Sequence, residues 1–533
     1  MQPLLAMHVR ALVLMHVVGG ICGDNILLYP YSVFFNSRIM NMEKLALMLR
    51  DHGHNVTILV EAAYQPTRPL AGVHLEKFTV KNTPLVSRIK QHWDFKAALE
   101  FVHMSFPKQI AFIEEVSYSV GDSLLGDREV MNRIKHGNYS LFIYDWIDLF
   151  GPILVQYLNI PTIIYSNYGF ENCWSIFHNP VNPAYIPVIQ DDHGYSDEMS
   201  FFQRLQNAVL FWVTEYYLNI AATNKIENLK RKHFPDVDWP HVRYAGEKVS
   251  LIIAANVHFA FDYPRPVMPH VKPISGLLHT APRPLPAHLE AFMSSAANGV
   301  ILLSWGTAMA TLDKDQAEIL AKVFAKLPQK VIWRYKGPPP AHLGNNTLLV
   351  DWLPQNDVLA HANTKLFITH CGVSSSWETM IHGVPVVAVP LWGDQYHQAT
   401  KLVTRVKMGV KIEFKNLNAD DFENAILNVL QNSDYKENAV KISELLRDQP
   451  LPAKEQFLYW VDYVIRHKGP LFFRSYATYR LAWYEYFLLD IMLFICALFM
   501  FAIFLLVWCL RYVNKGTIYF SSSLFGTKEK KTN

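Results

Sequence analysis

Ile368-Thr-His-Cys-Gly-Val-Ser-Ser-Ser376, followed by Pro385-Val-Val-Ala-Val-Pro-Leu-Trp-Gly-Asp-Gln395, is the stretch that decides the fold. Each segment opens on an apolar, β-rich run and ends in small or polar residues. The first reads as a strand ending at Thr369, a short loop, and a helix through Ile381. A small-residue loop between a strand and a helix N-terminus presents backbone N–H groups and the positive end of a dipole, which suits a phosphate or diphosphate. No lysine and no Walker pattern accompany it, which argues against ATP hydrolysis.

The same grammar recurs outward from this stretch. Val300-Ile-Leu-Leu-Ser304, Lys330-Val-Ile-Trp333 and Lys365 to Thr369 are short apolar strands with helical stretches, such as Lys314 to Leu327, between them. Further upstream, Asn25 to Pro30, Asn55 to Val60, Leu141 to Asp145 and Thr162 to Tyr165 read alike, with helical spacing over Met40 to His52. Such runs are typical of strands buried on both faces of a parallel sheet. Two βαβ series imply an α/β protein with two doubly wound, Rossmann-like sheets. The stiff segment Thr280-Ala-Pro-Arg-Pro-Leu-Pro286 separates them, which sets domains at 24–280 and 281–450.

Four polar clusters fall at expected carboxyl ends of strands, where open α/β sheets bind ligands. Ser304, Gly306 and Thr307 form one. Trp352 and Gln355 form a second, with a flat aromatic face for a base. His370, Gly372, Ser374 and Ser375 form the third, and Glu378 lies one helical turn beyond Ser374. Asp394 and Gln395 form the fourth. A lone Trp or His is more often packing, but four such clusters together point to a nucleotide-diphosphate site.

The ends set the compartment. Residues 1–23 carry one basic residue, Arg10, then an apolar centre and small residues, as in a secretory signal peptide. Residues 491–510 contain no polar or charged side chain and are long enough, at about 30 Å, to cross a bilayer core. Residues 451–490 form a returning helix and juxtamembrane segment. The basic tail 511–533 ends in Lys530-Lys531-Thr532-Asn533, the spacing of a dilysine retrieval signal. This predicts a single-pass type I protein of the endoplasmic-reticulum membrane with its bulk in the lumen. The sequons at Asn55, Asn138 and Asn345 then lie on the glycosylated side, although Asn55 adjoins a strand. No structural disulfide is expected, since only Cys173 and Cys371 could pair there.

Composition excludes other classes. The net charge of +3 and the lumenal bulk give no support to nucleic-acid binding. At 51% hydrophobic residues the chain is not disordered. The histidines show no paired metal-ligand spacing, and Asp236-Val-Asp238 reads as a surface loop, so no metal is expected.

The run from Trp333-Arg-Tyr through Trp352-Leu-Pro-Gln and Ile368-Thr-His-Cys-Gly to Pro385–Gln395 resembles the UDP-glycosyltransferases. It is most similar to the membrane-bound animal group that includes the UDP-glucuronosyltransferases. The pre-membrane Val464-Ile-Arg-His-Lys-Gly, the span and the dilysine end also fit. The resemblance implies a GT-B fold and inverting transfer of a hexosyl group, glucuronic acid or glucose, from a UDP-sugar. No separate cofactor is implied. It places Trp352 and Gln355 at the uracil and ribose, and Glu378 at the ribose hydroxyls. Thr307, His370, Gly372 and Ser375 fall at the diphosphate, and Asp394 and Gln395 at the sugar.

The resemblance also marks departures. Its loop usually reads His-Gly-Gly-x-Asn where this chain has His370-Cys371-Gly372-Val373-Ser374, and Gln398 stands at a usual Asn. It implies a histidine general base oriented by an Asp. Asp145 matches the Asp, but Arg38 stands at the histidine position, and residues 24–51 contain no histidine. Arginine cannot accept a proton at neutral pH. Three readings stay open: an enzyme whose acceptor, such as an amine, needs little base help, with Asp145 assisting; an enzyme with its base elsewhere; or a catalytically silent UDP-sugar binder. A charge-assisted pair between Arg38 and Asp145 is expected in each. The acceptor pocket is expected within 84–202, whose aromatic residues suit a small lipophilic or aromatic acceptor or simple core packing. A lipid-binding membrane partner is the reading from a different class. Homo- or hetero-oligomerisation through the span or the lumenal face is compatible with the sequence.

Overall fold

The computed structural model describes residues 23–31, 36–81, 104, 106–170, 181–188, 194–306, 309–469, 471–473, 475 and 481–524. The signal peptide, Cys173, Thr307, the dilysine end and much of the segment expected to bind the acceptor lie outside these. Residues through Arg474 form one compact unit and those from Ser475 a second.

The first unit holds two all-parallel sheets. Strands β1 (Asn25–Tyr29), β2 (Asn55–Glu61), β3 (Val73–Phe78), β4 (Leu141–Asp145), β5 (Thr162–Ser166), β6 (Val249–Ala255) and β7 (Val271–Ile274) line up as β3-β2-β1-β4-β5-β6-β7. Strands β8 (Val300–Ser304), β9 (Lys330–Arg334), β10 (Thr347–Val350), β11 (Thr364–Thr369), β12 (Val386–Ala388) and β13 (Gly409–Lys411) line up as β10-β9-β8-β11-β12-β13. Each order reverses once, between β1 and β4 and between β8 and β11. These reversals are the switch points where doubly wound sheets hold ligands.

Burial on both faces explains why the central strands are so apolar. Every residue of β4, β5 and β8 is buried. Edge strands differ: β3 reads Val-His-Leu-Glu-Lys-Phe and is largely solvated, so its polar residues hide it from an apolar-run reading. The strands expected from sequence around residues 25–29, 55–60, 141–145, 162–165, 300–304, 330–333 and 365–369 are all present.

The helix Asn36–Asp51 follows β1 and buries Ile39, Met42, Leu45, Ala46 and Leu49 against the first sheet. After the second sheet the chain returns. The helix Ala453–Arg466 packs Phe457, Leu458, Val461 and Val464 on the core that holds Ile26, Leu28 and Ile58 of the first sheet. The second unit holds the helix Leu489–Leu524, whose segment Leu489–Asn514 has mean hydropathy 3.0 and is the one helix among the described residues long and apolar enough to cross a membrane. It runs past the expected end at 510 because Arg511 and Lys515 do not interrupt its hydrogen bonding. Hydropathy marks only its apolar part.

Asn55 opens β2 and is exposed rather than buried, although its amide donates to Gly23 O (3.2 Å) and Asn25 Oδ1 (3.1 Å). Asn138 and Asn345 are also exposed. Cys371 is a free, buried thiol. Asp236 and Asp238 lie in an exposed loop after the helix Thr223–His233, as expected.

Candidate active site at two facing switch points

On the first sheet, Arg38 sits in the opening turn of the helix that follows β1, and Asp145 ends β4. The reversal of strand order makes these two strands neighbours. Arg38 Nη1 donates to Asp145 Oδ1, and the side chains are 1% and 0% exposed. The guanidinium lies 4.1 Å from the Tyr168 ring centroid and 5.9 Å from that of Trp146. Burial opposes the Arg38 charge, but Asp145 and Tyr168 outweigh it and hold its pKa above the ordinary value. Burial pushes the Asp145 carboxyl up, and Arg38 pulls it back only in part. The guanidinium therefore stays charged, while the carboxyl beside it takes up a proton more readily than an exposed one. The pairing expected from sequence is present.

On the second sheet, Ser304 ends β8 and His370 follows β11, again adjacent strands at the reversal. Two glycines enclose the imidazole. A Cβ at Gly306 would lie 2.5 Å from His370 Nε2, and one at Gly372 would lie 2.6 Å from it. Gly306 also has φ +68°, the left-handed region that disfavours a side chain. Gly306→Ala is therefore expected to displace His370 and cut UDP affinity by roughly 5–30-fold, the equivalent of about 1–2 kcal/mol of strain. Calorimetric titration with UDP measures it. Burial, with Arg334 adding, lowers the His370 pKa to about 4, so the ring is neutral at pH 7.

Cys371 adopts φ +63°. The family pattern's glycine at this place has that physical reason, and the cysteine bears the strain. Its backbone N–H donates to Thr369 Oγ1 (3.1 Å), and burial raises the thiol pKa, so it stays protonated. Gly372 caps the helix Val373–Ile381. Ser374 is partly exposed at its first turn, while Ser376 Oγ bonds back to Cys371 O (3.2 Å).

Gln355 ties the second and third clusters together. Its Nε2 donates to Ser375 Oγ (3.0 Å) and to Glu378 Oε2 (2.7 Å). Ser375 Oγ accepts from Gln355, which leaves its own hydroxyl proton to donate to a phosphate. Trp352 is 59% exposed, presenting its face for stacking. Arg334 was given no role from sequence although it lies in the motif. Its Nη1 donates to Gly306 O, and its guanidinium lies 5.4 Å from the Trp352 ring centroid. The only signal for it was a charged residue at the end of an otherwise apolar strand. Gln395 Oε1 accepts from Leu391 N (2.9 Å) and Trp392 N (3.3 Å), so it shapes the loop that carries Asp394.

The two switch points face each other. Burial raises the Asp394 pKa to about 6, and the charge that pulls hardest against it is Arg38 of the first sheet. Burial also raises Glu378, which Gln355 and then Lys44 lower. Lys44 lies on the same helix as Arg38, and its Nζ donates to Leu278 O (3.0 Å). Arg38 in the opening turn and Lys44 in the middle of that helix thus place positive charge within electrostatic reach of Asp394 and Glu378. Lys401 Nζ pairs with Asp262 Oδ1 (2.7 Å), and Thr400 Oγ1 donates to Gly194 O (2.6 Å), joining the halves beside the cleft.

With that geometry in place, comparison decides the family. The sequence profile described as "UDP-glucoronosyl and UDP-glucosyl transferase" matches residues 24–521. The chain belongs to this family. It is 32% identical to human UDP-glucuronosyltransferase 1A6 over 508 residues, covering 93% of this chain and 92% of that one. It is 30% identical to UDP-glucuronosyltransferase 2B30 of Macaca fascicularis, covering 94% and 95%. Against the mouse 2-hydroxyacylsphingosine 1-beta-galactosyltransferase it is 29% identical, covering 98% and 94%. Among solved structures, the calicheamicin glycosyltransferase CalG4 superposes with TM-score 0.57 at 17% identity, covering 84% of this chain and all of that one. Os79 of O. sativa in complex with UDP gives 0.54 at 15% identity, covering 83% and 100%. These neighbours carry the GT-B fold, and the two facing Rossmann-like sheets are that fold. The chain is thus a UDP-glycosyltransferase by family.

The sequence reading that the histidines show no paired metal-ligand spacing passes over His52-Gly53-His54, which the fold brings to Asp462. His52, His54 and Asp462 place one ligand atom each within 4.8 Å of one another. His-x-His is itself a ligand spacing, but its third partner lies 408 residues away along the chain.

Proposed function

We propose that the protein transfers glucuronic acid or glucose, with inversion, from its UDP conjugate to a small lipophilic acceptor whose nucleophile, such as an amine, needs little base help. Trp352 stacks on uracil, and Gln355 and Glu378 hold the ribose. Thr307, His370, Gly372 and Ser375 hold the diphosphate at the helix N-terminus, with Ser304, Gly306 and Ser374 completing the donor side. Asp394 with Gln395 holds the sugar. The acceptor enters from the first sheet. What supports this reading is the placement of the four donor-side clusters at the strand ends of the second sheet, with the buried Arg38–Asp145 pair at the switch point of the first. Because Asp145 is committed to Arg38, no strong base stands there. A hydroxyl acceptor needs proton removal as it attacks, whereas an amine attacks first and loses its proton afterwards. No metal is needed for this chemistry. We place the chain in the endoplasmic-reticulum membrane, with its bulk in the lumen and its sequons available there.

The test is an assay of the full chain in detergent with UDP-glucose and UDP-glucuronic acid against phenols and aromatic amines. Amine conjugation exceeding phenol conjugation is the expected result. Measurable UDP-sugar binding with neither transfer nor UDP release would overturn the catalytic reading in favour of a silent binder, which the buried Arg38–Asp145 pair also suits.

Asp394 adds a pH dependence. With its pKa raised to about 6, it is protonated below that value and a stronger hydroxyl acceptor above it. Donor affinity is expected to rise from pH 5 to 7 and level off, and Asp394→Asn to flatten the profile. The same shift has the opposite sign for stability, because a raised carboxyl pKa costs the native state as pH climbs from about 3.8 through about 6.

A further inference from the structure

The helix Asn36–Asp51 ends at His52-Gly53-His54, and Gly53 at φ +106° turns the chain into β2. Asp462 reaches this turn from the helix Ala453–Arg466, which returns to the first sheet after the second is complete. His52 Nε2 lies 3.0 Å from Asp462 Oδ2, and His54 Nε2 lies 3.2 Å from Oδ1. The three ligand atoms fall within 4.8 Å of one another, and the two imidazoles are tilted by 53° with centroids 5.5 Å apart.

Zinc binds imidazole nitrogen and carboxylate oxygen at about 2.0–2.2 Å in a tetrahedron, so adjacent ligand atoms stand roughly 3.3–3.4 Å apart. The two observed separations, 3.0 and 3.2 Å, run to different oxygens of Asp462, so a site using one carboxylate oxygen keeps one nitrogen–oxygen pair near that edge and draws the other imidazole in. Binding needs the two Nε2 protons to leave and the three ligand atoms, which lie within 4.8 Å of one another, to close to that spacing. Two imidazoles and a carboxylate favour a borderline ion over magnesium or calcium, which take oxygen ligands. The His54 side chain is 2% exposed, while His52 and Asp462 are 29% and 26% exposed, so the group is anchored inside and open on one side to a fourth ligand. The turn precedes β2 and therefore lies at the amino ends of the strands, opposite the carboxyl ends that carry Asp145.

We propose that His52, His54 and Asp462 form a zinc site that fastens the returning helix to the first sheet. The ion would join two segments from opposite ends of the first unit. Its position away from the cleft gives it a structural role in holding the two-sheet body closed.

The full chain in detergent, stripped with a chelator, is to be titrated with zinc alone and separately with cobalt(II) alone. Wild type is expected to retain one equivalent of zinc through gel filtration, to melt at a higher temperature with zinc than without, and to give with cobalt the intense visible band of a tetrahedral site. His52→Gln and Asp462→Asn keep hydrogen-bonding capacity but weaken ligation. Each is expected to lose the equivalent, the melting shift and the band, with affinity falling by more than the roughly 10–100-fold that loss of a ligand's supporting partner costs. The double variant Asp236→Asn/Asp238→Asn is expected to keep all three. Uptake by wild type no greater than by His52→Gln, or a weak octahedral cobalt spectrum, would overturn the proposal and leave a hydrogen-bonded His–Asp–His clamp.

Discussion

Arg38→His is expected to raise transfer to a phenol by about 10²–10⁴-fold, the range a positioned general base contributes, while transfer to an amine changes far less. The argument rests on what Arg38 does to Asp145. The guanidinium keeps its proton throughout the working pH range and binds the carboxylate in a site that water barely reaches. Arg38 cannot take a proton from a hydroxyl, and the Asp145 carboxyl, although burial raises its affinity for a proton, is engaged by Arg38 and not free to reach one. An imidazole at the same place exchanges a permanent cation for a group that titrates near neutrality, and Asp145 then raises its basicity by favouring the imidazolium. The gain is to be read as conjugate formed at saturating donor, with a pH profile that acquires a limb near the histidine pKa. Arg38→Gln removes the cation without adding a base and is expected to show no gain. If Arg38→His binds UDP as well as the wild type yet phenol transfer stays flat, proton abstraction is not what limits the reaction, and the base account is lost.

How much of this is legible in the sequence depends on where the decisive contacts lie along the chain. Strands β4, β5, β8 and β11 announce themselves because their central residues are apolar and buried on both faces. β3 does not, because an edge strand mixes His, Glu and Lys with its apolar residues. The cluster His370 to Glu378 was legible because one strand–loop–helix unit carries all of it. Arg334 was not, since its link to Gly306 and Trp352 joins the ends of three separate strands. The unusual backbone at Cys371 could be sensed only through the glycine of the family pattern, since a sequence does not display φ. Lys44 was hidden in another way: on the helix it reads as a solvated charge, and only the facing domain supplies Glu378. The His52, His54 and Asp462 group illustrates the limit, because its halves meet only after the returning helix docks.

Asp145→Leu is expected to cost about 3–5 kcal/mol of stability, the penalty for leaving a buried charge without its partner. Leucine fills most of the vacated volume, so the loss is chiefly electrostatic and not a cavity effect. It falls on Arg38, whose side chain has no route to water at 1% exposure and whose Nε and Nη2 already lack hydrogen-bond partners. The aromatic faces of Tyr168 and Trp146 recover only part of this, since cation–π contacts contribute about 0.5–2 kcal/mol. Replacing both members, as Arg38→Met with Asp145→Leu, removes the stranded charge and is expected to return most of the stability, because apolar groups of similar volume replace a buried pair at little or no net cost. The double-mutant cycle, read from denaturant midpoints of the detergent-solubilised chain, should therefore show strong coupling between the two positions. Additive losses would mean that Arg38 and Asp145 are held by their surroundings and not by each other. Strong coupling with near-wild-type stability of the double variant carries a functional meaning. A pair that adds little net stability yet occupies the switch point of the first sheet is placed there for the ligand.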